Sequence, residues 1–365
     1  MSSIKKLSPN ASGTGALTIA APNTNTDYTL TLPAATGTFL TNSGTEAGAF
    51  STLSVNSNNI SAVNSLGFRN RLINGDMRID QRNAGAAVTA NGAYPVDRWS
   101  VAFSTDGAFS AQRSTTAATG FSNSLYFTTT TADASLSASQ FACILQRIEG
   151  FNTADLGWGA AGAQSLTLSF WTRSTLTGTF GGALRNGSGT RSYPFTYTIS
   201  AANTWEYKTV TVAGDTTGTW ATDSGVGIDV IFGLGVGSTY SGTAGAWAGA
   251  NYLTATGAVS VIGTLNANWY VTGVQLEAGS VATPFERRDY GRELMMCQRY
   301  FQKHLTVIDV STAFGTWAYP VQMRAAPTIS GGGAGFTDYS ASPDMCAVYQ
   351  TARAGNISLT FSSEL

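Results

Sequence analysis

The sequence predicts a mainly β protein: an N-terminal β-arch or shaft segment, a central β-sandwich, one short helix and a small C-terminal β-domain. Three observations predict it. The composition pairs 41 Gly and only 11% charged residues with 18 Phe, 14 Tyr and 8 Trp, so many rings need burial beneath a surface wetted by hydroxyls and amides. Short runs of alternating apolar residues recur between Gly, Asn and Asp turns. Helical periodicity stands out in one place, before Phe301, and nine of the 41 charged residues fall between Glu277 and Lys303.

Taken in order, residues 1–66 carry few apolar positions. Leu17 and Ile19 alternate, then Tyr28, Leu30 and Leu32, with Pro22–Asn25 as the turn of a small β-arch. Sparse Phe50, Leu53, Val55, Ile60 and Val63 follow. So few apolar positions cannot bury enough surface alone, so the segment is expected either to be a disordered tail or, given its orderly period, to wrap with copies from other chains.

Residues 67–287 read as one sandwich. Strands are expected at Met77–Asp80, Tyr94–Phe103, Ser124–Thr130, Ala142–Ile148, Leu166–Phe170, Trp205–Val212, Gly227–Leu234 and Trp269–Glu277. Residues 288–303 are expected to be helical, because Leu294, Cys297, Tyr300 and Phe301 share one face and Asp289 suits the N-cap. Residues 304–365 return to strands at Leu305–Val310, Phe314–Met323, Thr328–Ser330, Cys346–Thr351 and Ile357–Phe361, a domain marginal on its own.

Several function classes are disfavoured. The net charge is −1 and no basic run has the density of a nucleic-acid or anionic-membrane footprint. The longest apolar stretch, Gly225–Gly237, is broken by Asp229 and is too glycine-rich for a membrane span. MSSIKKLSPN has no apolar run after its lysines, so no secretory signal is expected. Cys143, Cys297 and Cys346 are odd in number and lack zinc spacing, so neither a disulfide framework nor a metal is expected.

Two stretches carry a resemblance. Leu72–Arg82 (LINGDMRIDQR) with Tyr94–Trp99 (YPVDRW) resembles the start of a sandwich module in tailed-bacteriophage fibre proteins. Gly273–Glu277 with Pro284–Arg288 and Cys297–Tyr300 resembles the end of the same module, about 230 residues later. Between them, LTLSFWTR (166–173) and WEYKTVTV (205–212) are similar to strands of jelly-roll carbohydrate-binding modules. Thr29–Thr41, Pro320–Thr328 and Ser358–Leu365 resemble segments of fibre shafts and ends. The resemblance implies a central jelly-roll and a homotrimer on the virion, docked to other virion proteins through residues 1–66. It also implies assembly in the host cytoplasm and exposure on the particle surface.

Catalytic constellations are weak. Asp76 and Asp80 on a strand would stand roughly 13 Å apart, too far for a retaining glycosidase pair; turn capping by Asp76 and a local Asp97–Arg98 ion pair are the plainer readings. His304, the single histidine, is expected just past the helix, near its last carbonyls. No serine carries a nucleophile-elbow signature, and Cys297 reads as a small core hydrophobe. Gly233–Gly237 and Gly331–Gly333 lack the residues of a phosphate loop, and no calcium loop occurs.

Aromatic residues are the remaining candidates, because sugars present apolar C–H faces to rings. Trp171 lies opposite Leu166, Leu168 and Phe170, on the face of Thr167, Ser169 and Arg173. Trp158, Trp220, Tyr240, Trp247 and Tyr252 lie in Gly/Ser/Asn-rich connections. Packing between subunits or over sheet edges is the plain alternative for each. The expected function is a non-enzymatic, cofactor-free homotrimeric tail fibre binding host surface glycans. The alternatives are a capsid decoration or head fibre and, third, a polysaccharide depolymerase. Arg287, Arg288, Arg292, Leu294, Cys297, Tyr300 and Phe301 are the candidate trimer contacts, with the arginines pairing to Glu286 and Glu293 around an axis.

Overall fold

A computed structural model describes residues 68–308, 313–331, 336–350 and 355–365, with the short strands at 53–55 and 58–60. The chain divides into two units, Met1–Val63 and Asn64–Leu365. In the first, β1 (Leu53–Val55) and β2 (Asn58–Ile60) form an antiparallel pair. The arch expected at 17–32 lies outside the described residues.

The second unit is built on two five-stranded antiparallel sheets. Ten strands supply them: β3 (Ser100–Ser104), β4 (Ala108–Ser114), β5 (Ser124–Thr131), β6 (Phe141–Glu149), β7 (Leu166–Ser174), β8 (Gly178–Asn186), β9 (Ser192–Ile199), β10 (Glu206–Val212), β11 (Val226–Val236) and β14 (Asn268–Ala278). The two-residue strands β12 (Ser241–Gly242) and β13 (Thr254–Ala255) pair in the loop between β11 and β14. The first sheet has the order β10-β7-β14-β5-β4 and the second β3-β6-β11-β8-β9. The chain passes repeatedly from one sheet to the other, which is jelly-roll connectivity.

Alternation drives this packing. Leu166, Leu168 and Phe170 turn inward from β7 and meet Phe180, Val230, Phe232 and Trp269 in one core. Phe232 lies 5.0 Å from Phe170 and 5.2 Å from Trp269, ring centre to ring centre. Trp269 donates its indole N–H to the Tyr197 hydroxyl at 3.1 Å, so its polar atom is satisfied in the core. Each such large side chain contributes about 2–3 kcal/mol through burial.

Three strands, β4, β8 and β9, form where none was expected. β4 is short on bulk, with Phe109 and Ala111 as its inward residues. β8 reads as a glycine-rich loop, yet its glycines are demanded by packing: a Cβ on Gly182 would fall 2.5 Å from the Phe195 ring and 2.2 Å from the Ile231 carbonyl oxygen. β9 contains Pro194, which it tolerates as an edge strand.

One expected strand does not form and another starts late. Met77–Asp80 and Tyr94–Trp99 are irregular, with left-handed backbone at Asn74 (φ 56°) and Met77 (φ 58°). The Asn74 side chain takes the place of a ladder. It donates to the Ile79 and Asp97 carbonyls at 2.8 and 2.9 Å and accepts from Ile79 N–H at 3.0 Å. The expected Tyr94–Phe103 strand forms only in its second part, within β3 (Ser100–Ser104).

The helix, α1, spans Tyr290–Gln298, and Asp289 caps it by accepting from the Arg292 N–H at 2.9 Å. It ends earlier than position 303 because Phe301 starts β15 (Phe301–Ile308), which pairs with β20 (Gly355–Ser362). His304 therefore stands in a strand opposite Leu359 rather than beyond a helix end. The helix's apolar face is covered by its own chain. Cys297 and Tyr300 are buried with Ile73 and Ile79, and Leu294 packs beside them.

This corrects the trimer-contact assignment for Arg288, Cys297, Tyr300 and Phe301, all of which are buried within the chain. Arg288 donates to the Leu72 and Asn70 carbonyls and pairs with Glu286 and Glu293. Asn70 in turn bonds the Val274 carbonyl and the Leu276 N–H, both at 3.0 Å. The two stretches at 72–82 and 273–301 thus form one intrachain clasp. Arg287 and Arg292 remain exposed, with Arg287 donating to the Gly120 carbonyl at 2.6 Å.

Beyond β15, the strands β16 (Ala313–Ala318), β17 (Thr328–Gly331), β18 (Phe336–Ala341) and β19 (Met345–Gln350) join β20 in two three-stranded sheets, β15-β20-β17 and β16-β19-β18. Met323, Cys346, Leu359 and Phe361 form a small separate core. Ion pairs fasten this part to the sandwich: Glu364 accepts from Arg82 at 2.8 Å and from Arg98.

Candidate functional site

β14 runs down the middle of the first sheet, and a bulge at Gly273–Val274 shifts its register against β7. Gly273 has φ 62°, and a Cβ there would fall 2.5 Å from the Phe121 ring. The bulge lets Trp269 and Val271 on one side, and Val274 and Leu276 on the other, all face the core. It also divides the outer face of the sheet in two.

Beyond the bulge the outer face is roofed. The Glu277 carboxylate accepts from the Thr283 N–H at 2.8 Å and its hydroxyl at 2.6 Å, and Gln275 accepts from the Glu286 N–H at 2.7 Å. Residues 279–286 form this strap, and Thr167, Ser169, Gln275 and Glu277 are buried beneath it.

Before the bulge the outer face is open and carries a row of rings. Tyr207 pairs in register with Trp171, Arg173 with Tyr270, Tyr270 with Tyr126, and Tyr126 with Gln112. The Trp171 and Tyr207 rings are 5.4 Å apart, Tyr126 and Tyr270 4.6 Å, and Trp205, just before β10, lies 6.0 Å from Tyr270. The Arg173 guanidinium sits over the Tyr270 ring at 5.2 Å. At the usual strand spacing the rings span about 14 Å across four strands. Tyr207 is 43% exposed, and Trp171, Trp205, Tyr270 and Tyr126 are half-buried.

The loop aromatics are arranged differently. Trp158, Trp220 and Trp247 meet edge to face, with centroids 4.7, 5.2 and 5.4 Å apart. Each indole N–H is used within the chain: Trp158 donates to Gln164 O at 2.7 Å, Trp220 to Thr217 O at 3.2 Å and Trp247 to Ala213 O at 2.8 Å. Behind Trp158 and Trp220 there is a cavity of about 20 Å³, room for a water and no more. Tyr240 packs edge-on against Phe141 at 5.5 Å, and the Tyr252 ring covers Gly242. Of the seven ring and arginine candidates, only Trp171 and Arg173 lie on the open row. Tyr126, Trp205, Tyr207 and Tyr270 join them there, and sequence reasoning passed them over. Their signal was the out-facing register of SLYFTTTT, EYKTV and NWYVT, each beside an inward neighbour.

The candidate catalytic groups are held by protein partners. Asp76 pairs with Arg78, Asp80 accepts from Asn83 N–H at 2.8 Å and Gly85 N–H at 2.6 Å, and Asp97 pairs with Arg82 at 3.2 Å. Asp76 is thus an ion-pair partner, Asp80 takes the turn-capping role, and Arg98 turns to Glu364 instead of Asp97. Burial pushes the Asp97 carboxyl up despite Arg82. It pushes the Cys143 thiol up to about 12 and the Cys297 thiol well above its usual value, so neither is a ready nucleophile. Among the described residues, no group of three His, Cys, Asp or Glu is placed to hold a metal, and no helix is long and apolar enough to cross a membrane.

No protein-family model matches the chain, and no curated protein matches it. Among solved structures it is similar to the enzymatically active domain of tailspike protein 4 of bacteriophage CBA120, at 12% identity and TM-score 0.32 over 57% of this chain and 21% of that one. It is also similar to a family 11 carbohydrate-binding module of Clostridium thermocellum in complex with a β-1,3-1,4-mixed-linked tetrasaccharide, at 10% identity and TM-score 0.29 over 55% of this chain and 100% of that one. A third is the N-terminal cellulose-binding domain of β-1,4-glucanase C from Cellulomonas fimi, at 12% identity and TM-score 0.24 over 55% and 99%. These values are too low to carry function from any of the three to this chain.

Proposed function

We propose that the open half of the first sheet is a glycan-binding face, and that the chain is a non-enzymatic adhesion fibre of a tailed-phage virion. One observation carries the binding reading. Trp99, Trp158, Trp220, Trp247 and Trp269 all donate their indole N–H to the protein. Trp171 and Trp205, on the open row, have no such partner among the described residues. A ring face with an unspent donor, beside Tyr hydroxyls and Gln112, suits a saccharide: the ring covers its C–H face and the donors take its hydroxyls. A row of rings across four strands suits a chain of sugars rather than a single one.

The fibre and virion parts of the reading rest on the sequence resemblance at 72–99 and 273–300. A homotrimer would multiply weak sites through effective concentration. Light scattering of the purified protein is expected to give three times 38.0 kDa; a stable monomer would remove the trimer. Binding is tested on an array of bacterial surface polysaccharides with the wild type and Trp171→Ala. Retention of one or more polysaccharides that the variant loses is expected, and unchanged retention would sink this face as the site. Release of reducing ends from a bound polysaccharide would overturn the non-enzymatic reading.

A further inference from the structure

The open row contains one fixed charge, Arg173, which joins Arg113, Arg287, Arg292 and Arg324 as the described arginines whose side chains no carboxylate pairs with. Arg71, Arg82, Arg98, Arg185, Arg191, Arg288 and Arg299 each pair with a carboxylate. Arg173 has no carboxylate within 4 Å among the described residues. It is held by neutral groups: Nε donates to the Asn203 carbonyl at 2.9 Å, Nη2 reaches Asn203 Oδ1 at 3.5 Å, and the guanidinium lies over Tyr270. Its Nη1 has no partner among the described residues. The acid closest along β10, Glu206, is already occupied by Lys208 at 2.6 Å and by the Ser200 and Ala201 N–H groups, both at 2.8 Å. It also alternates to the other side of the strand from Tyr207.

A guanidinium oriented by stacking and backbone, with its charge left unmatched, is arranged to receive an anion. On a row of rings that stacks sugars, the anion that fits is a carboxylate carried by a pyranose. We propose that Arg173 makes this face selective for acidic polysaccharides, with uronate residues as the recognised unit. The inference rests on the glycan-binding reading and adds the ligand class to it.

Affinity electrophoresis through polygalacturonate, alginate and hyaluronan, each beside its carboxyl-reduced form, tests it. The wild type is expected to hold at least one native polymer about tenfold more tightly than its reduced form, and added salt should narrow the gap. Arg173→Gln should bring that ratio to about one, and Arg173→Lys, which keeps the charge but loses the fork, should fall between. Thermal melts of both variants check that they remain folded. Equal retention of native and reduced polymers by the wild type, lost in Trp171→Ala, would overturn the role of Arg173 and leave glycan binding standing. The same native preference in Arg173→Gln would overturn it too. Retention of no polymer in either form, unchanged by Trp171→Ala, would overturn both.

Discussion

Trp171 and Trp220 are both half-buried tryptophans set among Thr, Ser and Gly, yet the chain uses them in opposite ways. Trp220 is tied down twice, by its N–H to Thr217 O and by edge-to-face contacts with Trp158 and Trp247. Trp171 stands on a regular strand whose backbone is already satisfied by β10 and β14, so its ring is held from below and its N–H is spare. The loop cluster spends aromatic surface on closing long connections that have little other core. The sheet face gets its rigidity from the ladder and can leave its rings facing out. Ring type and burial alone do not separate a staple from a platform; the fate of the N–H does.

The comparison is open to attack at several points. The largest effect is expected at Trp158, which touches both other loop tryptophans. Trp158→Ala should lower stability by about 3 kcal/mol, read as a shift in the urea midpoint, with glycan retention unchanged in protein that stays folded. Next, Trp171→Ala should cost under ~1 kcal/mol in stability but about 2 kcal/mol in binding, roughly thirtyfold in Kd. A larger stability loss than that of Trp158→Ala would reverse the assignments. A finer probe is Phe at each place. Trp220→Phe leaves the Thr217 carbonyl without its donor and should cost about 1 kcal/mol, whereas Trp171→Phe should melt like the wild type and bind more weakly.

The smallest effect is on pH. Asp215 sits beside the loop cluster and pairs with Arg191 at 2.7 Å. Burial is the largest single influence and raises its carboxyl, but the hydrogen bonds from Arg191 and Thr217 together bring it below its usual value. A depressed carboxyl stabilises the folded state above its unfolded pKa of about 3.9, and that contribution is lost as pH falls through the folded value. Tryptophan emission from the loop cluster should therefore shift at a higher pH in Asp215→Asn than in the wild type; identical acid transitions would mean the pair adds nothing.

Much of the fold was legible in the residues. Leu166, Leu168 and Phe170 announced a strand with Trp171 on its other side, and Asp289 announced the start of a helix. β8 was not legible, because Gly181 and Gly182 look like loop residues until Phe195, Ile231 and Thr254 are seen pressing on them. Met77–Asp80 misled in the other direction: it alternates like a strand, but the Asn74 side chain satisfies its backbone locally. At the candidate site, Trp171 and Arg173 were found by alternation. Tyr126 and Tyr270 were missed, since only the pairing of β5 with β14 brings them together.

Local chemistry in the sequence determined that this chain would be β-rich, that Trp171 and Arg173 would share a face, and that a capped helix would follow the last sandwich strand. Those properties depend on neighbours within a few positions, whose spacing is written in the chain. Tertiary structure decided the rest. It gave the apolar face of α1 to Ile73 and Ile79 of the same chain, two hundred residues earlier, instead of to a neighbouring copy. It also decided which half of the sheet is roofed and which tryptophans keep a free donor. Those outcomes turn on pairings between distant segments, and a partner far along the chain leaves no periodic mark on the residues that will meet it.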